Sequence, residues 1–296
     1  MAKDLIIGGA SGYKYDQIKY WINSIKKSGF AGDIVLVATN MKNEELAKVA
    51  EQGVNILAYG QRDKEGNFVN NGSLAPHVER FFYIWNYLSQ CEPYRYVITT
   101  DVRDVVFQSN PVTFLEKHNA EFVAAGEGLC YKDEPWGIGN YELAFGPFFQ
   151  ERIKDTPIYN VGVLAGTHEA VTDMLLMIYQ LSINRRFEVV DQAVYNFILS
   201  VKWFAKDVMF MPNDSEWAVN LGTTIHAVES GHGDIGYRAV RDPAAMEKYR
   251  SDYLGIQPEI RDDLVISPET NEPYVIVHQY DRVTGLENKI RRKYDD

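Results

Sequence analysis

The sequence predicts an α/β protein whose mostly parallel, twisted sheet is flanked by helices, and two observations support this. First, short apolar segments alternate with segments of helical spacing through about the first sixty residues. The predicted strands and helices are, in order, 5–7, 16–27, 34–38, 44–52 and 54–57. Such alternation is typical of a parallel, doubly wound sheet. Second, Tyr96–Thr99 is a mostly apolar, β-branched run of the kind buried in a parallel sheet.

The rest of the chain continues this pattern with one long interruption. Helical spacing covers 74–90, which Ser73 can cap, and then 168–182 and 193–199. Further strands are predicted at 122–125, 158–166, 206–211 and 274–277. Residues 128–157 show little periodicity, so we expect a lid or binding loop there. Segment 230–273 is polar and weakly patterned, which predicts a decorated C-terminal third.

Composition and charge restrict the functional classes. At 296 residues the chain can bury a full core, and 46% hydrophobic and 24% charged residues are ordinary for a soluble globular protein. The formal net charge of −11 argues against nucleic acid as the main partner. Two cysteines imply neither a disulfide framework nor a four-ligand zinc site. No apolar run suits a signal peptide or an integral membrane span, which predicts a cytoplasmic protein.

Two carboxylates, Asp101 and Asp104, directly follow the Tyr96–Thr99 strand. Buried carboxylates cost several kcal/mol unless a cation or strong donors face them, and ligands of open α/β sheets lie at this end of the strands. Oxygen ligands this close in sequence suit a hard divalent ion shared with phosphates. The alternative is that Asp101 caps a turn while Asp104 pairs with Arg103 or another basic residue.

Other candidate residues lie near strand ends or on predicted helices. Residues 8–12, Gly-Gly-Ala-Ser-Gly, lack a phosphate-binding spacing, but small residues let a flat ring approach the backbone closely. Arg80 is either solvated or placed to reach a phosphate or steady an aspartate. His278 ends a late strand, where a hydrogen-bonded core histidine is the alternative to a metal ligand. Asp191 begins a helix, where an N-cap is the default role.

Five short motifs follow one another along the chain. They are Tyr15 followed by Ser24, the turn Asp101-Val102-Arg103-Asp104, the segment Asn160-Val161-Gly162-Val163, the pair Asp191-Gln192, and His278. Together they resemble motifs of the metal-dependent GT-A glycosyltransferases, in particular the glycogenin-like and bacterial lipopolysaccharide galactosyltransferase-like branch. The family's counterparts are a uracil-stacking tyrosine, an Asp-x-Asp motif, an Asn-x-Gly-Val segment, an Asp-Gln pair and a C-terminal metal-binding histidine.

The chain departs from that family's pattern in two places. The acidic motif here is Asp-Val-Arg-Asp, so the second carboxylate is either shifted by one residue or replaced by Arg103. The family's His-x-x-Gly-x-x-Lys ending appears only loosely, as His278, Gly285 and Lys289. Whether Arg282 or Lys289 meets the diphosphate is therefore open.

The resemblance implies a retaining transferase that moves a sugar from a nucleotide sugar, with UDP as the expected nucleotide, to a glycan or glycoconjugate acceptor. It implies three groups of site residues. The metal ligands would be Asp101, Asp104 and His278, and the imidazole favours Mn²⁺ over Mg²⁺. The catalytic residues would be Gln192 and Asp191. The donor would be bound by Ala10, Ser11, Gly12, Tyr15, Arg80, Asn160, Arg282 and Lys289.

Some alternatives stay open. An inverting enzyme would need a base near the acceptor, such as Asp191, Glu127 or Asp214. Trp136 and Trp217 are candidate acceptor platforms, although a tryptophan is more often part of the core. A sugar nucleotidyltransferase, a metal-dependent phosphohydrolase and a non-catalytic sugar-binding protein are the rival functions.

The sequence contains no internal repeat or low-complexity linker. We therefore expect one domain over 1–296, with 1–110 as its nucleotide-binding half and 111–296 as its donor-sugar and acceptor half.

Overall fold

A seven-stranded sheet forms the centre of the computed structural model, which describes residues 2–70, 75–185, 189–223 and 258–295. The predicted cap Ser73 and most of the polar segment 230–273 lie outside the described residues. Among the described residues, no helix combines the length and the apolar character that crossing a bilayer requires.

The strands are β1 Leu5–Ser11, β2 Asp33–Thr39, β3 Asn55–Ala58, β4 Gln61–Arg62, β5 Phe68–Val69, β6 Tyr96–Thr100, β7 Val105–Phe107, β8 Phe122–Cys130, β9 Pro157–Thr167, β10 Val208–Met211, β11 Ala218–Asn220, β12 Glu259–Arg261, β13 Leu264–Ile266 and β14 Ile276–His278. The helices are α1 Tyr15–Lys27, α2 Asn43–Glu51, α3 Pro76–Leu88, α4 Pro111–His118, α5 Pro135–Phe145, α6 Pro147–Ile153, α7 His168–Ser182, α8 Asp191–Ser200 and α9 Leu286–Lys293.

The central sheet has the strand order β10-β8-β9-β6-β1-β2-β3. Four of its strand pairs are parallel, and only β9 runs against both of its neighbours, β6 and β8. The prediction of a mostly parallel sheet between helices is thus confirmed.

Successive residues of β1 belong to two hydrophobic layers, because strand side chains point alternately to opposite faces. Leu5 and Ile7 pack in the layer that contains residues of α3, α7 and α8. Ile6 packs in the layer that contains residues of α1, α2 and α4. The sheet is therefore covered on both faces, which explains why its strands read as continuous apolar runs.

A smaller sheet of order β11-β14-β7 positions the C-terminal histidine. Strand β14 pairs antiparallel with β7, and His278 lies opposite Val105, the residue after Asp104. The Gln279 backbone N–H also donates to the Asp104 carbonyl, at 2.7 Å. Strand pairing therefore brings His278 beside the acidic turn, although 173 residues separate His278 from Val105 in the chain (278 − 105).

The structure corrects three boundary predictions. Residues 128–157 are not an irregular loop, since they contain α5 and α6, which both begin with proline at the first turn. Helix α5 contacts both α6 and α8, and its sequence carries one charged residue, so it shows no single apolar stripe. Strand β1 extends through Ser11 instead of ending at Ile7. Asp191 is the first residue of α8, and Val190 takes the N-cap position.

Candidate active site

One cavity of about 530 Å³ lies where the carboxyl ends of β1 and β6 meet the acidic turn. It brings together ten of the thirteen predicted site residues. These are Ala10, Ser11, Arg80, Asp101, Asp104, Asn160, Asp191, Gln192, His278 and Arg282. The position matches the rule that ligands of open α/β sheets bind beyond the carboxyl ends of the strands.

Asp101, Asp104 and His278, which we name the acidic cluster, converge at one side of this cavity. The His278 Nε2 atom lies 3.5 Å from the Asp101 Oδ2 atom and 3.8 Å from the Asp104 Oδ1 atom. One ligand atom from each residue lies within 4.8 Å of the others. The extra residue in the acidic turn therefore does not prevent both aspartates from facing the histidine.

The acidic cluster fits a divalent cation on two further observations. Burial lowers the pKa of His278, which favours the neutral imidazole that binds metals. Gly162 leaves space for the cluster: a Cβ there would lie 2.7 Å from His278 Cε1 and 2.9 Å from Asp101 Oδ2, both too close for atoms that are not bonded. Two carboxylates and an imidazole are a donor set that can bind a divalent metal ion.

Arg80 links the two acidic regions of the cavity. Its Nη1 contacts Asp101 Oδ1, and its Nη2 lies 3.5 Å from Asp191 Oδ2. Its side chain is mostly buried; burial lowers its pKa, while the Asp191 charge raises it. Gly9 permits this placement, because a Cβ there would lie 2.9 Å from the Arg80 Cβ. In this structure Arg80 contacts two aspartates, as predicted for a residue that steadies an aspartate, and its contact with a phosphate stays a prediction.

An amide network, formed by Asn160, Gln192 and Glu127, adjoins the acidic cluster: the same Gly162 Cβ would lie 2.8 Å from Asn160 Oδ1. The Glu127 Oε1 atom accepts from Asn160 Nδ2 at 2.6 Å and from Gln192 Nε2 at 3.0 Å. Asn160 Oδ1 accepts from the Gly162 N–H at 2.7 Å, and Gln192 Oε1 accepts from the Val161 N–H at 3.4 Å. Both amides are therefore fixed in orientation, with their nitrogens on one carboxylate oxygen.

Glu127 is buried, and this decides between its possible roles. Burial raises its pKa, while the hydrogen bonds from Asn160 and Gln192 lower it. Its carboxylate is engaged by two amides and is not among the groups that line the cavity. Glu127 is thus not placed as an acceptor base. Asp214 does not line the cavity either, whereas Asp191 does.

A second buried acid, Glu134, lies close enough to Glu127 to interact electrostatically with it. It accepts from the Gly137 N–H at the start of α5. Burial, with the Glu127 charge as a smaller contribution, raises the pKa of Glu134 to about 8.

Three predicted donor-binding residues do not line the cavity, namely Gly12, Tyr15 and Lys289. Tyr15 begins α1 and packs partly buried against the second hydrophobic layer, whereas Tyr13 lines the cavity. Gly12 is exposed beyond the end of β1. The Lys289 Nζ atom lies 3.7 Å from an Asp263 carboxylate oxygen, so the tail cation in the cavity is Arg282.

The two candidate tryptophans separate as well. Trp136, on α5, lines the cavity. Trp217 is fully buried and packs on Phe114, with ring centroids 4.6 Å apart, so its interpretation as an acceptor platform is wrong.

Sequence reasoning missed Tyr13 and underrated Glu127. Tyr13 was missed because β1 was predicted to end at Ile7, whereas it pairs with β2 as far as Ser11. That extension leaves Tyr13 in the connection before α1. The two hydrogen bonds to Glu127 bring together residues from β8, β9 and α8, and nothing local in the sequence indicates them.

No protein-family model and no curated protein matches this chain. Among solved structures, the apo form of the bifunctional glycosyltransferase WbbM superposes with a TM-score of 0.56 at 11% identity, covering 100% of this chain. The chain spans about half of WbbM, since 50% of that protein is covered.

The galactosyltransferase LgtC, in complex with donor and acceptor sugar analogues, superposes with a TM-score of 0.54 at 13% identity. That match covers 96% of this chain and 93% of LgtC. An active-site mutant of LgtC gives the same TM-score and identity, with coverages of 98% and 95%. At these identities the likeness shows the fold.

Proposed function

We propose that this chain, which has the fold of the GT-A glycosyltransferases, is itself a metal-dependent glycosyltransferase. It would move a sugar from a UDP-sugar to a hydroxyl of a glycan or other glycoconjugate. The observation that carries the proposal is the acidic cluster, which shares one cavity with Arg282 and the amide network. The division into a nucleotide-binding half, 1–110, and a sugar-binding half, 111–296, belongs to the same proposal.

The leaving diphosphate is the first chemical problem, because negative charge builds on it as the glycosidic bond to phosphate breaks. A divalent ion, with Mn²⁺ preferred, would be held by Asp101, Asp104 and His278 and would supply Lewis-acid stabilisation of that charge. Arg282 lines the same cavity and can donate charge-assisted hydrogen bonds to phosphate oxygens.

The sugar must then be held in one orientation. Asn160 and Gln192 present amides whose positions are already fixed by Glu127 and by two backbone N–H groups. Because these amides are oriented before the sugar binds, they would lower the entropic part of the activation barrier for transfer by roughly several kcal/mol. Asp191, held by Arg80, adds an acceptor for sugar hydroxyls. Retention at the anomeric carbon follows from the resemblance, with Gln192 on the sugar face opposite the leaving group.

A thermal-shift panel of nucleotide sugars, each with Mn²⁺ or with EDTA, tests the proposal. A ligand at a hundred times its dissociation constant stabilises the folded protein by about 2.7 kcal/mol. We expect UDP-sugars to raise the melting temperature only with Mn²⁺. Stabilisation by no nucleotide sugar, or equal stabilisation in EDTA, would contradict the proposal.

The same preparation separates the rival activities. A transferase is expected to hydrolyse its donor slowly without acceptor and to leave simple phosphate esters intact. Cleavage of simple phosphate esters would indicate a phosphohydrolase instead. Complete inertness toward a donor that binds would indicate a sugar-binding protein.

A further inference from the structure

Arg103 is the extra residue of the acidic turn Asp-Val-Arg-Asp. We propose, as an extension of the proposed function, that Arg103 binds the diphosphate of the nucleotide and supplies there the cation that Lys289 does not supply. The proposal rests on how the turn is held, where the guanidinium lies, and which other cations share the cavity.

The backbone of the turn is pinned at three points. The Asp101 N–H donates to the Gly162 carbonyl at 2.9 Å, and the Asp104 carbonyl accepts from the Gln279 N–H at 2.7 Å. Between them, the Arg103 carbonyl accepts from the Tyr280 hydroxyl at 3.1 Å. These bonds hold the turn beside His278, so both aspartates face the imidazole despite the additional residue.

The Arg103 side chain lines the cavity and is 47% exposed. Its Nη2 atom lies 3.3 Å from Asp281 Oδ2 and 3.8 Å from Asp104 Oδ2. Asp104 is also one of the proposed metal ligands, so the guanidinium is held next to the place where the phosphate oxygens of a metal-bound diphosphate must lie. A guanidinium has five N–H donors in a planar fork, which suits carboxylates and phosphate together.

Among the described residues, Arg80 and Lys289 are less suited to this role. Arg80 is mostly buried and already contacts Asp101 and Asp191. Lys289 lies outside the cavity lining and faces Asp263. Arg282 lines the cavity and would share the diphosphate with Arg103. The additional arginine of the acidic turn would thus replace Lys289, which does not line the cavity, as a cation for the diphosphate.

Isothermal titration calorimetry at saturating Mn²⁺, with UDP and uridine as the probes, tests the inference. The variants are Arg103→Ala, Arg103→Lys and Lys289→Ala. Arg95→Ala is the matched control, because Arg95 is similarly exposed (45%) and ion-paired but does not line the cavity. The Arg103→Ala variant loses charge-assisted hydrogen bonds to the diphosphate. Its affinity for UDP should therefore be about tenfold to a hundredfold lower than that of the unmodified protein.

The expected pattern is specific. Uridine should bind Arg103→Ala as it binds the unmodified protein, Mn²⁺ binding should not weaken, and Arg103→Lys should recover part of the UDP affinity. Lys289→Ala and Arg95→Ala should bind UDP normally. Normal UDP binding by Arg103→Ala, an equal loss of uridine binding, or a loss caused by Lys289→Ala would overturn the inference alone. Absence of UDP binding in the unmodified protein would overturn the proposed function as well.

Discussion

The acidic cluster and the amide network adjoin each other in the cavity but differ in how their polar groups are satisfied. The acidic cluster places two carboxylates against an imidazole without a hydrogen bond among them. The amide network satisfies Asn160 and Gln192 through a single buried carboxylate, Glu127. Arg80 contacts Asp101 of the acidic cluster and also Asp191, which lines the same cavity.

The difference separates what depends on a cation from what is fixed without one. Carboxylates that converge on one point repel each other, so the acidic cluster should bind ligand only together with a divalent ion. The amide network is already hydrogen-bonded and needs no ligand to acquire its geometry. Variants of the acidic cluster should therefore abolish metal-dependent binding of the nucleotide. Variants of the amide network should lower turnover while nucleotide binding survives.

The largest effect is expected for Asp101→Asn. The substitution keeps the shape of the side chain but removes a charged ligand, so it should cost at least about a hundredfold in turnover, about 2.7 kcal/mol. Thermal shifts with UDP, with and without Mn²⁺, should show that the metal-dependent increment disappears while the melting temperature of the unliganded protein is retained. An unchanged increment would count heavily against the acidic cluster as a metal site.

A smaller effect is expected for Glu127→Gln. The neutral side chain accepts the two amide N–H groups more weakly, since charge-assisted hydrogen bonds are roughly twice as strong as neutral ones. Turnover should fall about tenfold, about 1.4 kcal/mol, because Asn160 and Gln192 lose their fixed orientation. UDP binding with Mn²⁺, measured by calorimetry, should stay near that of the unmodified protein.

Glu121→Gln is the matched control for this variant, because Glu121 immediately precedes the same strand, β8, but is exposed. It should alter neither turnover nor binding. A parallel loss of turnover and of UDP binding in Glu127→Gln would show that the amide network and the acidic cluster do not have separate roles.

The least effect on turnover is expected for Glu134→Gln, which should instead change how stability depends on pH. Burial raises the pKa of Glu134 to about 8 from an ordinary value of 4.5. Between these values the folded protein holds a proton that the unfolded chain releases, so this contribution to stability is present at low pH and is lost as pH rises toward 8.

A permanently neutral glutamine removes that proton linkage. The free energy of unfolding, measured with urea from about pH 4.5 to about 8, should therefore fall less steeply for Glu134→Gln than for the unmodified protein. Parallel profiles for the two proteins would contradict the assignment of a raised pKa to Glu134.

The sequence predicted the elements with a clear period and missed those that depend on distant partners. Helices α1 and α7 were predicted within one residue, since each carries a regular apolar stripe. Thr167 caps α7, because its Oγ1 accepts from the Ala170 N–H at 3.3 Å. The antiparallel direction of β9 was not predicted, because an apolar strand buried on both faces carries no signal of its direction.

The same limit applies to the candidate site. Motif order predicted the group Asp101, Asp104 and His278. The distances of 3.5 and 3.8 Å from His278 Nε2 to the two carboxylates, however, depend on the pairing of β14 with β7. The placement of Tyr13 instead of Tyr15 in the cavity lining depends on where β1 ends, and β1 pairs with β2 as far as Ser11 and Thr39.

Anomalous diffraction at the manganese edge, from crystals grown with Mn²⁺ and UDP, tests the central claim most directly. The account predicts one strong peak per chain, about 2.0–2.6 Å from oxygens of Asp101 and Asp104 and from Nε2 of His278. The contradicting result is a fully occupied UDP site with no manganese peak among these three side chains.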